Sequence, residues 1–326
     1  MPRYRWIRSA LLFAVITCSL PAIAQTGTQP WPERQVRVVV TFPAGSANDA
    51  AARILADGLS KRWTKPVVIE NRAGAEGTLG VSSFVAAHDG HTLLYSVAGS
   101  VTVAPLLIEK LPYDPERDLV PIVATASIIL TVAVNHEIPA GTLDELVAAL
   151  RAAPGRYAWS SGPTLPRFAF EAFLKRRGLS MNYVAYRDAA QPQADLGEGR
   201  IQVLFTSLQA SRAPVQLGKA RFLAIANSTR AAAIPDVPTA REAGHPELTI
   251  DGLSGLFGWR GMPESLRARI AADVTAVIED PEVRRRIEAT GQLAIGGTPA
   301  EFEHAIAEQR SFITEIAKLI DLKPAN

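Results

Sequence analysis

Two segments place small and hydroxyl-bearing residues between an apolar run and a helical period. The first is Phe42-Pro43-Ala44-Gly45-Ser46-Ala47-Asn48-Asp49. It leaves the β-branched run Val36–Thr41 and enters a stretch with apolar residues at Ile54, Leu55 and Leu59. Small residues let a backbone approach a ligand closely. The N–H groups of a first helical turn have no partner inside the helix and stand at the positive end of its dipole. Such a turn can hold an anionic group, with Ser46 and Asn48 as further donors. The same two side chains serve equally well as helix caps, so spacing alone leaves both roles open. The second segment, Ser160-Ser161-Gly162-Pro163-Thr164, has the same placement, and Arg167 follows near the start of the next helix. Arg167 either reaches a ligand in that turn or stands in solvent. Two such turns facing each other would hold one carboxylate between them. Charged hydrogen bonds contribute about 1.5–3 kcal/mol each, and micromolar affinity needs about 8 kcal/mol. A few such bonds with apolar burial therefore suffice without a buried counter-charge.

Nothing in the chain argues for catalysis. The five histidines are His88, His91, His136, His245 and His304. His88 and His91 are separated by Asp89-Gly90, a turn signal, and the others stand apart. No H-E-x-x-H or paired-cysteine spacing points to a metal. There is no G-x-S-x-G elbow and no glycine-rich phosphate loop. No cofactor and no metal is expected, and the protein is not expected to be an enzyme.

The elements that must position the two turns alternate between strand and helix. Val36–Thr41, Val67–Glu70 and Thr92–Ser96 read as strands, with glycine-rich turns and helical periods between them. Thr142 and Glu145 open a helix with capping-box spacing. Tyr157–Ser160, Met181–Tyr186, Ile201–Phe205 and Phe222–Ala226 read as further strands, and a helix runs from about Pro166 to Arg177. The tail turns helical, with a second capping-box pair at Thr298 and Glu301. Alternation of this kind predicts two α/β blocks with mostly parallel sheets. Between the blocks lies Leu119–Val134, uncharged but shorter than a membrane span and interrupted by Pro121. It reads as two consecutive buried strands carrying the chain from one block to the other.

The N-terminus carries Arg3, Arg5 and Arg8, then the apolar run Ala10–Leu20, then Ala22-Ile23-Ala24. Those are the parts of a secretory signal peptide, and residues 1–24 are expected to be removed. The only cysteine, Cys18, lies inside that segment. A lipid anchor there is disfavoured, because Thr17 precedes it where a small residue is wanted. The whole chain has 34 Lys+Arg and 32 Asp+Glu; without the three leading arginines the balance is 31 to 32. A near-neutral protein has no electrostatic footprint for nucleic acid.

In this order the segments VRVVVTFPAGSANDAAARILADGL (Val36–Leu59), PVVIENRAGAEGTLG (Pro66–Gly80), LPYDPERDLVPI (Leu111–Ile122), WSSGPTLPRFAFEAF (Trp159–Phe173) and VAYRDAAQPQADLGEGRIQVLF (Val184–Phe205) resemble the substrate-binding proteins of tripartite tricarboxylate transporters, the Bordetella uptake gene (Bug) family. The resemblance implies a type II periplasmic-binding-protein-like Venus flytrap, two α/β lobes with a ligand cleft between them. It divides the chain into a first lobe over 25–128, a second over 129–248 and a return to the first over 249–326. It implies a periplasmic protein that captures a small organic carboxylate and passes it to membrane permease subunits; the alternative is a sensor feeding a kinase of a two-component system. In the family, backbone amides and ordered waters hold the carboxylate, which places the role on Phe42 to Asp49 and on Ser160, Ser161, Gly162 and Thr164. Side contributions fall on Ala75, on Ser96, on Tyr186, Arg187 and Asp188, and on Thr206. The sequence departs from the family where it matters most. Gly45-Ser46-Ala47 replaces a glycine triplet, Pro163 leads directly to Thr164, and Arg167 stands where histidine is common.

Overall fold

The computed structural model of the chain describes residues 31–87, 89–162, 164–186 and 190–322; the expected signal peptide lies outside them. The first part runs β1 (Val36–Val40), α1 (Ala47–Trp63), β2 (Val67–Asn71), α2 (Thr78–Ala87), β3 (Thr92–Val97), and the short helices α3 (Gly99–Thr102), α4 (Ala104–Leu107) and α5 (Pro115–Asp118). Two long strands follow, β4 (Leu119–Ile128) and β5 (Leu130–Asn135). Next come α6 (Leu143–Ala152), β6 (Ala158–Ser161), α7 (Leu165–Arg176), β7 (Asn182–Tyr183), α8 (Gln191–Gly197), β8 (Val203–Ser207), α9 (Leu208–Gln216) and β9 (Ala220–Ile225). The chain ends with β10 (Gly252–Trp259), α10 (Glu264–Glu279), α11 (Pro281–Glu288), β11 (Gln292–Ala294) and α12 (Pro299–Ile320).

These strands form two sheets, ordered β11-β4-β10-β3-β1-β2 and β7-β6-β8-β5-β9. Neither is as parallel as the alternating pattern suggests. In the first, β2, β1 and β3 run parallel, but β10 runs against both β3 and β4, and β11 against β4. In the second, β7, β6 and β8 run parallel while β5 runs against β8 and β9. The parallel strands are those joined through helices, as a parallel crossover requires. The antiparallel ones enter where the chain changes sheet.

The uncharged stretch does form two strands, and they lie in different sheets. β4 and β5 are separated by Ile129 alone, itself buried. Both strands are buried on both faces along most of their length, which is why the run reads as continuously apolar rather than alternating. The chain returns between β9 and β10, and the two crossings are stitched at Asn227, which is fully buried. Its Oδ1 accepts from the Leu130 amide at 2.9 Å, while its Nδ2 donates to the Ser127 hydroxyl, the Ile128 carbonyl and the Asp251 carboxylate.

β10 is the strand the sequence reading did not anticipate, because Gly252, Gly255 and Gly258 make it resemble a loop. Gly255 is required by close packing. A Cβ there would sit 2.5 Å from the Val123 carbonyl oxygen and 2.6 Å from the Phe302 ring. β7 is correspondingly shorter than the expected strand Met181–Tyr186.

The last helix serves both cores. Thr298 and Glu301 form a complete reciprocal capping box at its start. Phe302 and Ile306 then pack with Phe257 and Leu253 on the first sheet. Two turns later, Ile313 and Ile316 are buried in the cluster that contains Trp159, Phe170 and Phe205 of the second sheet's side. Arg176 on α7 reaches Glu315 at 2.7 Å. So of the segment 249–326, the far half of α12 lies on the second core. Among the described residues no helix is long and apolar enough to cross a membrane.

Candidate functional site

The turn after β1 is shaped by its own side chains. Gly45 takes φ +82°, a conformation that favours glycine. Ser46 is the N-cap of α1, its hydroxyl accepting from the Asp49 amide at 3.2 Å. Asn48 is not a cap: it is buried, and its Oδ1 accepts from the Ser254 hydroxyl on β10 at 3.0 Å. Asp49 is 2% exposed and its carboxylate turns back into the turn. It accepts from the Gly45 amide at 2.8 Å, from Arg53 at 3.0 Å and from Asn71 at 2.7 Å. Burial pushes its pKa up, but the bonds from Arg53, Asn71 and Gly45 outweigh this and hold the carboxyl below the ordinary aspartate range. An internal carboxylate thus already occupies one amide at the mouth of α1. Pro43, Ala44 and Gly45 are exposed; Phe42 packs edge-on against Tyr95.

One strand over, the turn after β3 is tied to the first by hydroxyls. Thr41 Oγ1 and Ser96 Oγ lie 3.0 Å apart, and Ser96 donates to Ser100 at 3.1 Å. All three are buried. Ser96 therefore acts inside the wall rather than at its surface.

In the turn between β6 and α7, Gly162 donates its amide to the Phe205 carbonyl at 3.1 Å. A Cβ at Gly162 would lie 3.2 Å from Thr206 Oγ1, so the two backbones approach closely. Thr164 is the N-cap residue of α7, with φ +53° and ψ −112° and no side-chain cap bond. That is a strained conformation for a β-branched residue, of the kind that costs about 1–3 kcal/mol. Ser160 is buried, and the Ser161 hydroxyl is buried with no partner among the described residues.

A cavity of about 300 Å³ opens at this turn, where the chain crosses between sheets. Val97, Gly99, Val103, Ala104, Leu107 and Ile108 form one wall; Gly162, Thr164, Leu165, Pro166, Thr206 and Ser207 form the other. Ile128, Leu130, Gly252 and Leu253 from the crossing strands, with Gln309 of α12, complete it. Among the described residues no lining side chain is charged. The cavity sits at the carboxyl ends of β3 and β8, the edge at which open α/β sheets bind ligands.

Of the anticipated residues, Gly162, Thr164 and Thr206 line this cavity. Phe42 to Asp49 do not; their turn leaves β1, the neighbour of β3, at the same sheet edge. Ala75 is exposed in a short 3-10 turn with φ +46°. Tyr186 donates to Asp195 at 2.7 Å, and Asp195 is paired with Arg200. Arg167 is turned away from the cavity. It is exposed, with its guanidinium 4.5 Å over the Tyr183 ring and Glu171 at 3.8 Å, because the edge of β7 offers an aromatic face and a carboxylate. Arg187 and Asp188 lie outside the described residues. The sequence reading missed Val103, Leu107, Leu253 and Gln309. The apolar run Val101–Ile108 around Pro105 carries the signal for the first two; Leu253 was hidden in the unassigned β10. Among the described residues no group of three or more His, Asp or Glu side chains is placed to hold a metal ion.

The family described as the tripartite tricarboxylate transporter family receptor matches residues 51–322. The chain is 28% identical to Protein BugT of Bordetella pertussis over 290 residues, 88% of this chain and 89% of that one. Among solved structures, R. palustris Rpa4515 with adipate superposes with a TM-score of 0.74 at 25% identity, over 90% of this chain and all of that one. MatC (Rpa3494) from Rhodopseudomonas palustris with bound malate gives 0.68 at 27% identity, over 88% and 99%.

Proposed function

The chain belongs to the tripartite tricarboxylate transporter receptor family, whose members are solute-binding proteins and not enzymes, and from that membership we propose that it captures a small organic carboxylate in the periplasm and delivers it to the permease subunits of such a transporter. The observation that carries this reading is the cavity between the two sheets, bordered by the turn that opens α7 and lined, among the described residues, by no charged side chain. Amides and hydroxyls there supply donors without a competing counter-ion, and a carboxylate bound this way can be released again. The guest's carboxylate bridges the α7 turn and the α1 turn when the lobes close over it. Adipate and malate, the compounds named with the two superposed structures, set the size and charge class to try first.

Calorimetric titration of the purified protein with a panel of mono-, di- and tricarboxylates tests the binding step. A measurable, saturable affinity for at least one acid is expected, and absence of binding across the panel would remove the proposal. Transport is tested separately: deletion of the gene should abolish uptake of that acid, and co-purification should recover the permease subunits.

A further inference from the structure

We propose that the guest is a monocarboxylate with an apolar body, aliphatic or aromatic, rather than a di- or tricarboxylate. The inference rests on the carboxylate reading above and adds what the rest of the ligand must be. The cavity is amphipathic. One corner, at Gly162, Thr164 and Thr206, presents backbone and a hydroxyl. The remaining wall is made by Val103, Leu107, Ile128, Leu130, Leu165 and Leu253. Of the other polar side chains that line it, Gln309 is bonded through both its amide oxygen and its amide nitrogen, and Ser207 belongs to the polar corner. Gln309 donates to the Asp251 carbonyl at 3.0 Å and accepts from Thr102 at 2.8 Å. Ser207, next to Thr206 in the chain, caps α9 by accepting from the Ala210 amide at 3.3 Å and keeps its hydroxyl hydrogen for the polar corner. Arg167, the nearest cation in sequence to the polar corner, is held over Tyr183 instead.

A second carboxylate pushed against those apolar side chains would lose its water and find no donor among the described residues, and an ionised group in that position is strongly disfavoured. An alkyl or phenyl body would displace water from the same surface favourably. At about 30 Å³ per water, 300 Å³ holds roughly ten waters and takes a guest on the order of ten non-hydrogen atoms. Heptanoate, phenylacetate and adipate are all of that size, so size does not decide between them and polarity does.

Calorimetry with the purified protein separates the outcomes. Along the series butanoate, pentanoate, hexanoate, heptanoate, affinity should rise roughly three- to fourfold per methylene. Heptanoate should bind at least tenfold tighter than adipate or malate, and heptanamide should bind far more weakly than heptanoate. Leu107 is half-buried at the end of α4, so Leu107→Lys should fold, lose at least tenfold in heptanoate affinity and gain in adipate affinity. A flat chain-length series, or adipate bound more tightly than heptanoate, overturns this inference and leaves the carboxylate receptor standing. Equal binding of heptanamide and heptanoate, or no binding of any acid, overturns the carboxylate reading and this inference with it. The chain-length series uses the unaltered protein, so it decides the matter even if the lysine variant misfolds.

Discussion

At the scale of single residues, the turn entering α1 shows one carboxylate standing in for another. Asp49 takes the Gly45 amide that a glycine-rich anion site would leave to its ligand. Because the folded pKa of Asp49 is depressed, its stabilisation is present above the unfolded value of about 3.9 and fades as pH falls through the lower folded value. Asp49→Asn should therefore cost about 1–3 kcal/mol at pH 7, and the deficit against the unaltered protein should shrink near pH 3. Urea unfolding at the two pH values checks it; an equal deficit at both would mean that the charge is immaterial. Ser46→Asp acts differently. Aspartate caps a helix as well as serine does, so stability should hold. A new negative charge at the helix mouth should weaken carboxylate binding about tenfold, and undiminished affinity by calorimetry would remove the α1 turn from the site.

At the scale of elements, β10 is the strand on which the first lobe depends. It lies between β3 and β4, pairs with both, and carries Leu253 to the cavity. Its glycines are set by neighbours rather than by turns. Gly255→Ala should cost about 3 kcal/mol through the clash with the Val123 carbonyl and Phe302. Gly99→Ala makes the contrast, since its Cβ would find nothing closer than Val97 at 3.6 Å, and its unfolding midpoint should be nearly unchanged. Comparable losses in both variants would show that the β10 packing is not what makes Gly255 necessary. α12 works at the same scale, its first turns on one core and its last on the other, so hinge motion must bend or slide past a helix anchored on both sides.

At the scale of the whole molecule, two strand crossings and one helix join the lobes, and Asn227 ties the crossings together. Removing its side chain leaves the Leu130 amide and the Ile128 carbonyl without those partners in a buried place, at about 1–3 kcal/mol per group. Asn227→Ala should lower stability by about 3 kcal/mol in chemical denaturation. In the unaltered protein, lobe closure should reduce the radius of gyration when a bound acid is saturating. Small-angle scattering profiles that superimpose with and without ligand would mean that capture proceeds without closure, and the α1 turn would then have no route to the guest.

The sequence by itself determined the α/β class, the two glycine- and serine-rich turns, the two consecutive strands inside Leu119–Val134 and the caps at Thr142 and Thr298, because each depends on residues close together in the chain. Periodicity, capping and turn chemistry are local, and they are legible locally. Only the tertiary structure decided that Gly255 belongs to a central strand, that Asp49 fills its own helix mouth, that Arg167 stacks on Tyr183 and that the cavity wall is apolar. Those outcomes depend on which distant residues are brought together: Phe302 against Gly255, Asn71 on Asp49, Leu253 and Leu107 around one cavity. A linear pattern carries no distance between such pairs; packing sets it.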